Sequence, residues 1–170
     1  MKNPISKTAY YTLGVRAWDA ALPKPACGDS FARLFMNEEA QKIWQEFKDE
    51  LRPNVSNASR HAIIDSQLSD VLAAAPDSLV VIIGAGFDTR AFRIKGGKWI
   101  EVDEPPIISC KETVLPAAKA PNSLTRIPID FARESLTEKL SPFKTPATTH
   151  IIIEGVLMYL NHTDRQTLIT

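Results

Sequence analysis

"VVIIGAGFDTRAFRI" occupies residues 80–94. Four β-branched residues in succession have the pattern of a strand covered on both faces. The run stops at Gly84, and Gly86 follows after a single alanine. Glycines there let the backbone turn sharply and leave its amides open to a ligand. Asp88 or Thr89 stands where a following helix would be capped.

Upstream of this turn the chain reads as helical. "SFARLFMNEEAQKIWQEFKDEL" (residues 30–51) spaces Phe31, Leu34, Phe35, Ile43, Trp44, Phe47 and Leu51 on a helical period. It predicts one helix, with Asp29 or Ser30 at its start and Pro53 just past its end. "ASRHAIIDSQLSDVLAAA" (residues 58–75) predicts a second, with an apolar stripe of Ile64, Leu68, Val71 and Leu72. Downstream, "KWIEVDEPP", "SLTRIPID" and "THIIIEG" are three further short β-rich runs, separated by stretches of helical character. Strands alternating with helices predict a doubly wound α/β fold with a parallel sheet in the order 3-2-1-4. Right-handed crossovers then bring all four carboxyl ends to one edge, where ligands of open α/β sheets bind. The expected division is an amino-terminal helical segment, residues 1–76, and an α/β domain, residues 77–170.

Composition narrows the function classes. With 44% apolar and 24% charged residues, the chain has the profile of a soluble globular protein. Acidic and basic side chains number 20 each, so no global field draws it to nucleic acid or an anionic membrane. Cys27 and Cys110 lack any metal or redox spacing, and no metal is expected. No signal-peptide pattern and no run of about 20 apolar residues occurs, so a cytoplasmic location is expected.

Several side chains collect at the predicted strand ends. A dinucleotide fingerprint would place a third glycine where Thr89 stands, and the bulky Arg90 follows. An NAD-type oxidoreductase is therefore the weaker alternative. Asp103 ends the second strand, 17 residues after Gly86, where an acid can accept from both hydroxyls of a ribose. Asp130 ends the third, next to Phe131; the carboxylate suits the exocyclic amine of adenine and the ring its face, or Asp130 caps the next helix. Glu154 follows three isoleucines and needs a cationic partner. Acids suit an adenosine ligand with a cationic amino acid better than a diphosphate, which wants amides and cations. S-adenosylmethionine has those groups, and for its carboxylate Arg60 and Arg90 are the candidate cations.

Four stretches in order, "GAGFDTRAFRI", "EVDEPPIISCKETVL", "PIDF" and "IEGVLMYL", resemble the leucine carboxyl methyltransferase family. "SRHAIIDSQL" is similar to its upstream Arg-Thr-x-x-Ile-Asp block, with His61 in place of the usual threonine. "TAYYTLGVRAWDA" and "CGDSFARLF" are similar to its amino-terminal segment. The resemblance implies S-adenosylmethionine as cofactor and methyl transfer to oxygen. It implies Arg60, with Arg16 from the amino-terminal segment, on the methionine carboxylate. Gly84 would offer its backbone to the methionine moiety, with Gly86 of the same turn also cofactor-binding; Asp103 would hold the ribose, Asp130 with Phe131 the adenine, and Glu154 the ammonium. Tyr159 would border the methyl-transfer pocket. The acceptor would be a small molecule or a carboxylate-bearing terminus. A carboxylate needs no general base; for a phenol or alcohol, His150 and His162 are available. The family's sheet has seven strands, so this chain is expected to lack the carboxyl-terminal ones and to end in a helix capped by Asn161 or Thr163. A truncated, non-catalytic cofactor-binding remnant is the other alternative.

Overall fold

A computed structural model of the protein describes residues 5–156. Tyr159, His162 and the helix expected from Asn161 or Thr163 lie outside the described residues. Helix α1 (Lys7–Asp19) begins at Ser6, whose hydroxyl accepts from the Ala9 amide. The single helix expected over residues 30–51 is instead divided. Asp29 accepts from the Phe31 and Ala32 amides and starts a short 3₁₀ turn, Ala32–Phe35. Asn37 then caps a separate helix, α2 (Glu38–Phe47), by accepting from the Ala40 amide at 2.8 Å. A capping side chain in mid-pattern outweighs continuous apolar spacing.

Helix α3 (Leu51–Ala74) begins seven residues earlier than the expected start at Ala58. Pro53 does not end the preceding helix; it lies in the first turn of α3. Amides of a first turn have no intrahelical acceptor, so a proline there forfeits nothing.

The four expected strands are present as β1 (Leu79–Ile83), β2 (Lys98–Asp103), β3 (Ser123–Pro128) and β4 (Thr149–Ile153). All pairings are parallel, in the order β3-β2-β1-β4. The helices between them are α4 (Arg90–Arg93), α5 (Pro105–Val114) and α6 (Leu136–Leu140). On one face, Val80, Ile82 and Trp99 pack with Tyr10, Leu13, Leu68 and Leu72, so the helical segment and the sheet share one core. On the other, Val81, Ile83, Ile100 and Val102 meet Leu136, Leu140 and Phe143. Together the two faces account for the near-continuous apolar character of β1. No helix among the described residues is long and apolar enough to cross a membrane.

Among the described residues, β4 pairs on one side only, with β1, and Ile151 is 61% exposed. An unpaired β-branched edge is a template for pairing with another chain. Ile151→Lys is therefore expected to reduce concentration-dependent light scattering while leaving the melting temperature within a few degrees. Unchanged scattering would show that β4 does not mediate association.

Candidate functional site at the strand ends

The turn after β1 is built on two glycines in the left-handed region, Gly84 at φ +67° and Gly86 at φ +49°. They serve different ends. A Cβ on Gly84 would come within 2.3 Å of Val156 Cγ2, so this position is close-packed against the chain leaving β4. A Cβ on Gly86 would meet no atom within 4 Å, so space adjoins the main chain there. The Gly84 and Ala85 amides donate to the Val102 carbonyl and tie the turn to β2.

Asp103 closes β2 beside this turn. Its carboxylate accepts from the Gly86 amide at 2.5 Å and from the Glu104 amide at 2.6 Å. Burial raises its pKa, and the two amides only partly offset this. Such a carboxylate gains from further donors. Glu104, Asp130 and Phe131 adjoin it: Glu104 accepts from the Phe131 amide, and burial plus the nearby Asp130 and Asp103 charges push the Glu104 carboxyl up. Phe131 is 38% exposed. Asp130 does not cap the next helix. It accepts from the Ala132 amide to form a tight turn, and Ser135 caps α6 through the Glu138 amide.

Glu154, just past β4, has the cationic partners its burial demands, but they come from the protein. Arg60 Nε donates to Oε1 at 3.0 Å, and Arg90 Nη2 donates to Oε2 at 3.0 Å. Burial opposes ionisation, yet the His61 ring and the Arg90 guanidinium overcome it and hold the carboxyl at about 2. Arg90 is the firmer of the two. His61 Nδ1 stands 3.7 Å from Oε2, and burial lowers the His61 pKa.

Arg90 is fully buried, and each of its three nitrogens has a partner within the protein. Nε reaches Asp65 at 2.6 Å, Nη1 reaches Asp88, and Nη2 meets His61 Nδ1 at 2.7 Å as well as Glu154. It is therefore a structural hub and not free for a ligand carboxylate. Asp88 is not the cap residue of α4; its carboxylate accepts from the Arg90 amide and guanidinium. Thr89 stands at the cap position of α4, yet its hydroxyl donates to the buried Asp29 at 2.7 Å. Arg16 also binds Asp29, at 3.1 Å, and donates to the Phe87 carbonyl at 2.7 Å, next to Gly86. Arg93 completes the network through Asp65 at 2.6 Å. His61, Asp88 and Glu154 bring three ligand atoms within 4.8 Å of one another, a spacing that could hold a metal. The Arg90 guanidinium contacts all three and occupies that space as their cation.

The structure thus brings Gly86 and Asp103 into contact, sets Asp130 and Phe131 near them, and joins Arg60 to Glu154. Arg16 lies beneath the turn. His150 lies near the start of β4, opposite the end that carries Glu154, and four residues of strand span roughly 13 Å. It cannot serve as a base at this edge. Sequence reasoning gave Asp29 only a helix-start role and Asp65 only a place in the Arg-Thr-x-x-Ile-Asp block, and missed both as acceptors of the ion network; for Asp65 the further signal was its i,i+4 spacing from His61, which sets both on one face of α3.

The chain is 26% identical to the tetracenomycin polyketide synthesis O-methyltransferase TcmP of Streptomyces glaucescens, over 97% of this chain and 60% of that protein. It is 33% identical to Franean1_4929 of Parafrankia sp. (strain EAN1pec), over 98% of this chain and 58% of that protein. A Mycobacterium avium (strain 104) protein is 27% identical, over 92% of this chain and 57% of its own length. The names of the last two share one cofactor, S-adenosyl-L-methionine. The chain spans about 60% of the length of these relatives. The sequence model of the leucine carboxyl methyltransferase family matches residues 9–170, and the chain belongs to that family.

Proposed function

We propose that the protein takes part in S-adenosyl-L-methionine-dependent methyl transfer to oxygen, on a carboxylate or hydroxyl of a small molecule or peptide terminus. The observation that carries the reading is Asp103, bonded to the Gly86 amide in a left-handed turn with open space at Gly86. A ribose diol donates, and Asp103 is an acceptor beside the space at Gly86. The lining fits the rest of the ligand: Asp130 and Phe131 for adenine, Glu154 for an ammonium, Arg60 for a carboxylate. When bound, the cofactor supplies a methyl group activated by a sulfonium. The chain's own part is to bind and orient. A carboxylate acceptor would need no base, which suits an edge from which His150 is excluded.

An NAD-type oxidoreductase fits less well. The fully buried Arg90 and its ion network occupy the helix start, where a pyrophosphate would want free amides. Asp103→Ala is expected to weaken S-adenosylhomocysteine binding by about 1.5–3 kcal/mol, the range for hydrogen bonds to a charged group. Isothermal titration of wild type and variant, with NADH in parallel, checks this. Equal affinity in a folded variant removes Asp103 from the site, and preferential NADH binding favours the oxidoreductase.

A further inference from the structure

We propose that the Arg60 and Glu154 pair is a latch across the strand ends, opened by partner exchange with the amino-acid end of the ligand. The inference rests on the reading that S-adenosyl-L-methionine binds at this edge, and adds how the edge is closed without it.

The two halves of the latch are held unequally. Glu154 is fixed from behind: Oε2 accepts from Arg90, which is locked in turn by Asp65 and Asp88. Its side chain is only 19% exposed. Arg60 rides the outside of α3 with 44% of its side chain exposed. Its Nε reaches Glu154 Oε1, and its Nη2 rests on Asn57 Oδ1 at 2.8 Å. Arg60 is the solvent-exposed half of the pair, so water can replace Glu154 as its partner and it can leave at small cost. Glu154 keeps Arg90 when it does and stays ionised.

What opens the latch must therefore present an ammonium to Oε1. That displaces Arg60, which now needs an anion. An α-amino acid carries both groups a few bonds apart. Its ammonium takes Glu154, its carboxylate takes the released guanidinium, and no charge loses its partner. A ligand with the ammonium alone has to expel Arg60 and gives it nothing in return. The latch thus selects for the complete amino acid.

The test is a reversal of sign, read by isothermal titration on the full chain with S-adenosylhomocysteine and its decarboxylated analogue. Arg60→Gln is expected to bind S-adenosylhomocysteine roughly tenfold more weakly, because a charged contact is lost. The same variant is expected to bind the decarboxylated analogue about two- to fivefold more tightly, because Arg60 no longer competes for Glu154. Because Arg60 is exposed, the variant should match wild type in its melting transition, which is checked first. If the analogue's affinity is unchanged while S-adenosylhomocysteine weakens, Arg60 contacts the carboxylate but forms no latch, and the inference is overturned. If both ligands weaken equally, Arg60 is structural and the inference falls as well. Failure of wild type to bind either ligand would overturn the cofactor reading itself, and the latch with it.

Discussion

Arg90→Met is expected to cost about 3–5 kcal/mol of folding stability, the usual consequence of removing one partner from a buried charge network. Arg90 is the only residue touching Asp65, Asp88, His61 and Glu154 together among the described contacts. Without it, Asp88 and Glu154 face each other with no cation between them. Arg93 still serves Asp65, and Arg60 still reaches Glu154, so Asp88 is the most exposed to the loss. A domain is typically stable by about 5–15 kcal/mol, so the variant would be marginal at 25 °C. Arg90→Lys should recover only part of the loss, because one ammonium cannot match a planar fork directed at several acceptors. Urea denaturation followed by circular dichroism gives the values. If Arg90→Met stays within about 1 kcal/mol of wild type, the network contributes little to folding.

The architecture was legible because each strand is short, β-branched and bounded by glycine or proline. Alternation with helical stretches then left few topologies. The contact between Gly86 and Asp103 was legible for the same reason: both sit at carboxyl ends of neighbouring strands. Element boundaries were less so. Asn37 and Pro53 have opposite effects from those a periodic pattern assigns them, one starting a helix within the expected one and the other lying inside the next.

The ion network was not legible because its members come from four separate elements. Glu154 shows the difficulty. Its need for a cation followed from the three isoleucines before it, but nothing in sequence chose between a ligand and the protein's own Arg60 and Arg90. Glu101 is a second case. It lies fully buried in β2, paired with Lys111 Nζ at 2.7 Å and with Arg126 Nε at 2.8 Å. Arg126 is its register partner on β3. Only the register shows that this mid-strand acid faces a cation.

Acid should unfold the protein in two stages, both traceable to this network. Burial keeps the His61 pKa below its ordinary value of 6.5 in the folded state. Below about pH 6.5 the unfolded chain therefore binds a proton that the folded chain resists, and stability begins to fall. The second stage is larger. The Glu154 carboxyl is lowered from 4.5 to about 2. Burial opposes the ionisation of Asp88, but the Arg90 charge prevails and its pKa also lies below the usual carboxylate range. A depressed carboxyl contributes stability that is complete above its unfolded pKa and disappears as pH falls through its folded one. For Glu154 this amounts to about 3 kcal/mol, lost between roughly pH 5 and pH 2. Asp103 acts the other way. Burial raises its pKa, so its protonation on acidification relieves a cost of the folded state. Glu104, also pushed up by burial, joins Asp103, but the large shifts are the depressed ones of Glu154 and Asp88, so the net slope is a loss. The urea midpoint should therefore decline gently from pH 7 to pH 5 and steeply below. Glu154→Gln should lower the midpoint at pH 7 and flatten the steep limb, because one of its two titrating groups is gone. A midpoint independent of pH between 7 and 4, or a limb equally steep in the variant, would mean that Glu154 is not held ionised by Arg90. The pairing that closes the strand ends would then lose its anchor.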